Sequence, residues 1–211
     1  NNPVLSELGD GALLDGFEKL VFSTDSFVVD PIFFPGGDIG KLSVCGTVND
    51  IAVCGGVPRY LSCAFIIEEG FPLSSLEKIV ASIGAAAQKA GVQVVTGDTK
   101  VVEKGRGDGI YINTAGIGFL KYPGLSPRNI QEGDAVIVSG TVGDHGTAVM
   151  LSRSGMMRGD IRSDCAALDK LAQAVLELDA GVRVLRDPTR GGLATTLNEF
   201  VEGGALGIEL Q

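Results

Sequence analysis

Residues 22–62, FSTDSFVVDPIFFPGGDIGKLSVCGTVNDIAVCGGVPRYLS, set the organisation of this chain. The run begins inside an apolar strand over 19–29 that is polar only around Asp25. It continues into 36–54, where Ile39, Leu42, Cys45, Val48 and Ile51 recur at a spacing of three. That spacing makes one apolar helix face, which a strand would not produce. A second strand over 59–68 closes the unit. A carboxylate in an otherwise apolar strand is costly to bury unpaired, so Asp25 requires a metal, a lysine or solvent beside it.

Asp25 belongs to a series of four acidic runs: Gly9-Asp10-Gly11, Ser23-Thr24-Asp25-Ser26, Val48-Asn49-Asp50-Ile51 and Thr96-Gly97-Asp98-Thr99-Lys100. Taken singly, each aspartate suits a helix cap or a turn. Four in succession, three of them straight after apolar strand-like runs, point instead to a nucleotide–metal site. Magnesium is carried by one or two carboxylates together with substrate phosphates. In the fourth run Gly97 admits close backbone approach and Asp98 can ligate a metal. Thr99 can donate to a phosphate oxygen, and Lys100 can neutralise charge on a transferring phosphoryl group. The competing reading of that run is a polar hairpin tip with a surface Lys–Asp pair. For Asp50, beside the apolar helix face, it is an ordinary solvated position.

Working outward, 72–90 reads as a helix with Pro72 at its first turn and Gly91 as its stop. Strands follow over 92–96 and 110–120, separated by the charged, glycine-rich loop 103–109. Residues 121–133 hold two prolines and two glycines without periodicity and mark a boundary. The expected domains are therefore 1–122 and 134–211, joined by a linker over 123–133. The second opens with a strand over 135–139. A helix starts near Gly143-Asp144-His145-Gly146, another covers 166–178, and a strand covers 182–185. Arg186-Asp187-Pro188-Thr189-Arg190-Gly191-Gly192 then leads into a helix through Leu193, Leu197 and Val201. Helices cluster as pairs, which favours α+β layers over a regular doubly wound sheet. Neither half carries the strand–GxGxxG–helix unit or a GxxxxGK[ST] run.

The amides at the 143–146 helix start are placed to bind an anion, and Asp144 is counted among the cofactor-binding candidates. His145, the single histidine, suits a structural place at a helix terminus, with catalysis as the alternative. Asp187 repeats the pattern of strand end, acid and glycine-rich helix start, and Arg190 either faces phosphate or pairs with Asp187.

A net charge of −9 argues against nucleic acid as a partner, which would require clustered Lys and Arg. A small polyphosphate remains compatible if divalent cations bridge it to the acids. The four cysteines, at 45, 54, 63 and 165, include no CxxC pair and do not make a zinc site. Cys45, Cys54 and Cys63 lie in apolar surroundings and read as buried small hydrophobes; reduced thiols suit a cytoplasm. No signal peptide is visible, and no apolar stretch approaches the roughly 20 residues of a membrane span. The chain opens on Asn1-Asn2-Pro3 and closes just after the strand-like 207–210, so both ends are expected to be cut.

The 22–62 run, together with VVTGDTKVV, VSGTVGDHG and LRDPTRGG, resembles the hydrogenase-maturation carbamoyl dehydratases, the HypE family. These fall within the superfamily of aminoimidazole-ribonucleotide synthetase, selenophosphate synthetase and thiamine-monophosphate kinase. The resemblance spans essentially the whole chain. It implies a two-domain architecture like that of aminoimidazole-ribonucleotide synthetase, with the first domain pairing into a dimeric β-barrel and the second an α/β layer, incomplete here. It also implies ATP-dependent conversion of a C-terminal cysteine thiocarboxamide to thiocyanate, the source of cyanide for the [NiFe]-hydrogenase iron. Asp10, Asp25, Asp50 and Asp98 would surround Mg–ATP, with Asn49, Thr99, Asp144, Asp187 and Arg190 around the nucleotide and Lys100 as the catalytic or positioning lysine. Implied partners are a second copy, a carbamoyltransferase and an iron-scaffold protein. The family's Pro-Arg-x-Cys tail, its Asn-Glu-Gly segment and its N-terminal glycine-rich stretch fall outside these residues, so the chain alone is expected to be unable to complete the reaction. The alternatives are a small-molecule kinase or synthetase of the same superfamily, or a non-catalytic maturation scaffold.

Overall fold

The computed structural model describes residues 19–154, 159–202 and 204–210. Asp10 lies outside the described residues. The first half contains β1 (Leu20–Phe27), a short ribbon of β2 (Phe33–Phe34) and β3 (Gly37–Asp38), α1 (Ile39–Val53), β4 (Gly56–Glu68), α2 (Leu73–Ala90), β5 (Gln93–Val102) and β6 (Ile110–Leu120). Four strands form one mixed sheet in the order β1-β6-β4-β5. β1 and β4 run antiparallel to β6, and β5 runs parallel to β4. A parallel neighbour needs a crossover connection, which α2 supplies.

The ends of both helices are set by local chemistry. Asp38 caps α1, its Oδ1 accepting from Gly40 N at 2.8 Å and Lys41 N at 3.1 Å. Its Oδ2 accepts from Ser82 Oγ at 2.6 Å, so one carboxylate both starts α1 and ties it to α2. Gly91 ends α2 in the left-handed region, φ 71°, where a side chain would be strained.

The spacing of three predicts a single apolar face on α1, but burial runs almost around the helix. Ser43, Thr47 and Asn49 are buried as well as Ile39, Val44, Val48 and Ile51. The cause is enclosure: α1 packs against the sheet, against α2 and against a helix of the second half, and a helix enclosed on several sides needs no polar face. Glycine permits the close approach to the sheet. A Cβ on Gly116 of β6 would stand 2.7 Å from both Ile51 Cδ1 and Thr47 Cγ2. Buried hydroxyls bridge the same contact: Thr47 Oγ1 and Thr114 Oγ1 are 2.6 Å apart, and Thr114 Oγ1 donates to Ser43 O at 2.9 Å.

The opposite face of the sheet carries no helix from the described residues. Leu20, Phe22 and Ile66 are exposed on it, Phe22 at 66%. Among the described residues, β1 and β5 are the two edges of the sheet.

After β6 come a 3₁₀ turn (Pro127–Asn129) and three helices, α3 (Asp144–Ser154), α4 (Asp169–Glu177) and α5 (Gly192–Val201). The strands expected over 135–139 and 182–185 do not form, and 207–210 is likewise irregular. Val136, Ile137 and Val138 are exposed, Ile137 at 86%. Extended segments become strands only when a neighbour pairs their N–H and C=O groups, and no such neighbour is present among the described residues. Arg183 instead accepts from Ser126 N at 2.9 Å and pairs through its side chain with Asp134 at 3.2 Å. Among the described residues the second half thus consists of helices and irregular segments, without the sheet an α/β layer would have.

Candidate active site

Three carboxylates and one arginine gather where β1, α1 and the turn before α5 meet. Asp25 lies on the α1-facing side of β1, since β1 alternates and Phe27, two residues on, is core. Gly46 of α1 leaves room for it: a Cβ there would lie 3.2 Å from Asp25 Oδ2. Asp50 stands one turn further along α1 and accepts from Ser23 Oγ at 2.7 Å. Ser23 and Asp25 are two residues apart on one strand face, so β1 supplies one acid and orients the other.

Asp187 completes the group from the Asp187-Pro188-Thr189-Arg190-Gly191-Gly192 turn. Burial, followed by repulsion from Asp50 and Asp25, pushes its carboxyl up to about 6. Asp25 is raised as well, by burial first and then by Asp50, with Arg190 acting in the opposite direction. Arg186, which pairs with Glu199 at 2.9 Å, acts in the opposite direction on Asp187. Acids crowded together in a partly buried site are chemically suited to a hard cation. Among the described residues no three His, Cys, Asp or Glu side chains close into a metal cage. A cation here would share its coordination with ligand oxygens and water, the usual condition of magnesium.

The structure does not bring the Gly97-Asp98-Thr99-Lys100 run to this group within one chain. The run lies inside β5, not at a hairpin tip. In register, Asp25, Thr114, Cys63 and Gly97 stand side by side across the sheet, and Ser26, Asn113, Ala64 and Asp98 form the next row. Asp98 and Lys100 therefore occupy the face turned away from α1, as Ser26 does. Three strand spacings put β5 about 14 Å from β1. Asp98, Thr99 and Lys100 are all exposed.

The remaining candidates have partners of their own. Asn49 donates to Ala166 O at 3.0 Å and accepts from Leu168 N at 2.7 Å, clamping 166–168 to α1. Asp144 accepts from Thr141 Oγ1 at the first turn of α3. His145 Nδ1 is 3.0 Å from Ser163 Oγ, and its ring packs edge-on against Phe34 at 5.2 Å. The partners of His145 thus come from β2 and from 163, the contacts a structural place would give it. Ser23 had no assigned role in the sequence; its signal was the two-residue spacing to Asp25.

An α+β arrangement with carboxylates gathered from a strand, the helix after it and a distant Asp-Pro-Thr-Arg-Gly-Gly turn defines the AIR-synthase-like two-domain class. The chain belongs to the AIR synthase related family, whose N-terminal domain matches residues 8–120 and whose C-terminal domain matches 131–211. Within it the chain is similar to the carbamoyl dehydratase HypE of Cupriavidus necator, 53% identical over 91% of this chain and 55% of that protein. It is also similar to the Escherichia coli carbamoyl dehydratase HypE, 47% identical over 99% of this chain and 64% of the relative. The chain thus spans between about half and two thirds of the length of these relatives. A crystal structure of HypE in complex with ATP superposes with a TM-score of 0.93 at 51% identity, covering 95% of this chain and 61% of that one. Thiamine monophosphate kinase of Aquifex aeolicus, at 19% identity and a TM-score of 0.56 over 74% of this chain and 55% of its own, shares the fold alone.

Proposed function

We propose that this chain carries the nucleotide-binding part of an ATP-dependent carbamoyl dehydratase of hydrogenase maturation. The reaction is dehydration of a C-terminal cysteine thiocarboxamide to thiocyanate, which supplies cyanide for the [NiFe]-hydrogenase iron. The observation that carries the reading is the convergence of Asp25, Asp50 and Asp187, in a chain about half identical to HypE proteins, one of which was crystallised with ATP. Asp25, Asp50 and Asp187 would hold Mg²⁺ against the phosphates, and Arg190 would offset charge beside them. Bound there, magnesium would neutralise phosphate charge. Ser23 keeps Asp50 aimed into the group.

Asp98 and Lys100 enter this reading through a second copy. The bare, partly apolar sheet face and its two edges, β1 and β5, favour closure of two sheets into a barrel across a two-fold axis. Such closure would set β5 of one copy beside β1 of the other; Lys100 starts from the opposite sheet face to Asp25, and its long side chain would reach the neighbour's carboxylates around the strand edge. There an ammonium group is most valuable as charge develops on the transferring oxygens. The crystal structure of a HypE–HypF complex, 52% identical with a TM-score of 0.84, supports a protein partner of the carbamoyltransferase kind; an iron-scaffold protein would follow it. The free thiols suit a cytoplasmic setting, and no described helix is long and apolar enough to cross a membrane.

The test uses the full-length protein. ATP hydrolysis should depend on a carbamoylated C-terminal cysteine, with thiocyanate appearing on that residue. Turnover on a free small-molecule substrate would place the chain with the kinases or synthetases of the superfamily. Hydrolysis indifferent to the tail would remove the dehydratase reading.

A further inference from the structure

Two cysteines from distant parts of the sequence meet beside α1. Cys45 is on α1, 4% exposed, and Cys165 is half-buried in the irregular segment before α4. Their proximity follows from Asn49, four residues beyond Cys45 and hence on the same helix face. Its amide bonds Ala166 O and Leu168 N, one and three residues after Cys165. The segment is also anchored upstream, where Ser163 N donates to Pro35 O at 2.8 Å and Cys165 N donates to Ser163 Oγ at 3.1 Å. This clamp brings the Cys165 thiol beside the Cys45 sulfur.

We propose that Cys45 and Cys165 form a redox couple whose disulfide locks segment 163–168, and with it the second half of the chain, onto α1. The two sulfurs are not equivalent. The contact with Cys165, aided by Lys41 and Lys89, lowers the Cys45 thiol below its ordinary range, while the same contact and burial raise Cys165. Cys45 is the nucleophile and Cys165 the resolving thiol. The ammonium groups of Lys41 and Lys89 make the pair a poor cation site. Cys63 serves as an internal contrast: burial alone holds its thiol up at about 11, and it is inert.

The oxidant is a peroxide small enough to reach a nearly buried sulfur. The Cys45 thiolate attacks one oxygen of H₂O₂, forming an S–O bond and breaking O–O, and the leaving hydroxide takes a proton to become water. Cys165 then attacks the Cys45 sulfenic sulfur. An S–S bond forms, S–O breaks, and the hydroxyl leaves as water with the Cys165 proton. Two thiols lose two electrons in total and one peroxide gains them.

The experiment treats the reduced full-length protein with one equivalent of H₂O₂, blocks remaining thiols with N-ethylmaleimide and maps tryptic peptides. Cleavage after Lys41, Arg59, Arg162 and Lys170 places Cys45 with Cys54 in 42–59 and Cys165 alone in 163–170. The expected product is 42–59 linked to 163–170, lost on treatment with dithiothreitol, retained in Cys54→Ser and absent from Cys45→Ser. Blocked Cys45 and Cys165 thiols in the oxidised wild type, a Cys45 sulfinic acid without cross-link, or a link that vanishes in Cys54→Ser would overturn the proposal. The wild-type map decides even if a variant fails to fold.

Discussion

The hydroxyl of Ser23 donates to the Asp50 carboxylate at 2.7 Å, across the contact between β1 and α1. One strand thus fixes the geometry of an acid on the following helix and contributes a second acid, Asp25, two residues later. Removing the hydroxyl leaves the charge in place and frees its orientation. Ser23→Ala should weaken Mg–ATP binding by about 1.5 kcal/mol, roughly tenfold, the worth of one hydrogen bond to a charged group at its lower end. Calorimetry on the full-length protein measures it, and an unchanged affinity would mean that Asp50 is aimed by the helix alone.

Nucleotide binding should require the metal. With a net charge of −9 and acids gathered at the site, triphosphate and protein repel unless a cation intervenes. ATP titrated in chelator should give little heat, and heat should return with Mg²⁺. Equal affinity in both conditions would remove Asp25, Asp50 and Asp187 from metal binding.

Asp187 gives a stability signature with a definite sign. Its carboxyl sits near 6 in the folded protein, above the ordinary carboxylate range. The folded state therefore favours the protonated acid, and that advantage is complete at about pH 4 and disappears as pH rises through about 6. Asp187→Asn removes the ionisation. It should raise the unfolding temperature at pH 7 to 8, by at most about 2–3 kcal/mol of stability, and change little near pH 4. Mg–ATP affinity should fall in the same variant. Loss of stability at pH 7 would show that Asp187 has a compensating partner.

Much of the first half was legible in the sequence because its elements carry strong local signals. The apolar spacing marked α1, and Pro72 and Gly91 bracketed α2. β5 was read as ending at 96 because its continuation, Gly97-Asp98-Thr99-Lys100, is polar; an edge strand with exposed residues shows no apolar alternation. The segments 135–139 and 182–185 fail in the opposite sense. Their composition is strand-like, yet a strand exists only when its ladder partner is present. Asp25 and Asp50 stand out in the sequence by their placement beside apolar residues, and the fold brings the two together. The use of Asn49 as a clamp was not, because its partners lie 117 and 119 residues away.

Packing of α1 on the sheet depends on the absence of a side chain at Gly116. Its Cβ would meet Ile51, Thr47 and Leu61 at 2.7–2.8 Å, all buried or near the buried hydroxyl bridge. Gly116→Ala should destabilise by about 1–3 kcal/mol through overpacking, read from the denaturation midpoint at unchanged slope. A neutral result would mean that α1 can lift off the sheet without loss.

The central claim is that one chain supplies Asp25, Asp50 and Asp187 and a second copy supplies Lys100, and subunit mixing in the full-length protein tests it most directly. Lys100→Ala alone should lower turnover about a hundredfold or more, with ATP affinity much less affected. Asp25→Asn alone should lose binding first. After unfolding and refolding together in equal amounts, half the dimers are mixed and each mixed dimer has one intact site. The account predicts recovery of about a quarter of wild-type activity. Activity no higher than the average of the two inactive variants would contradict it.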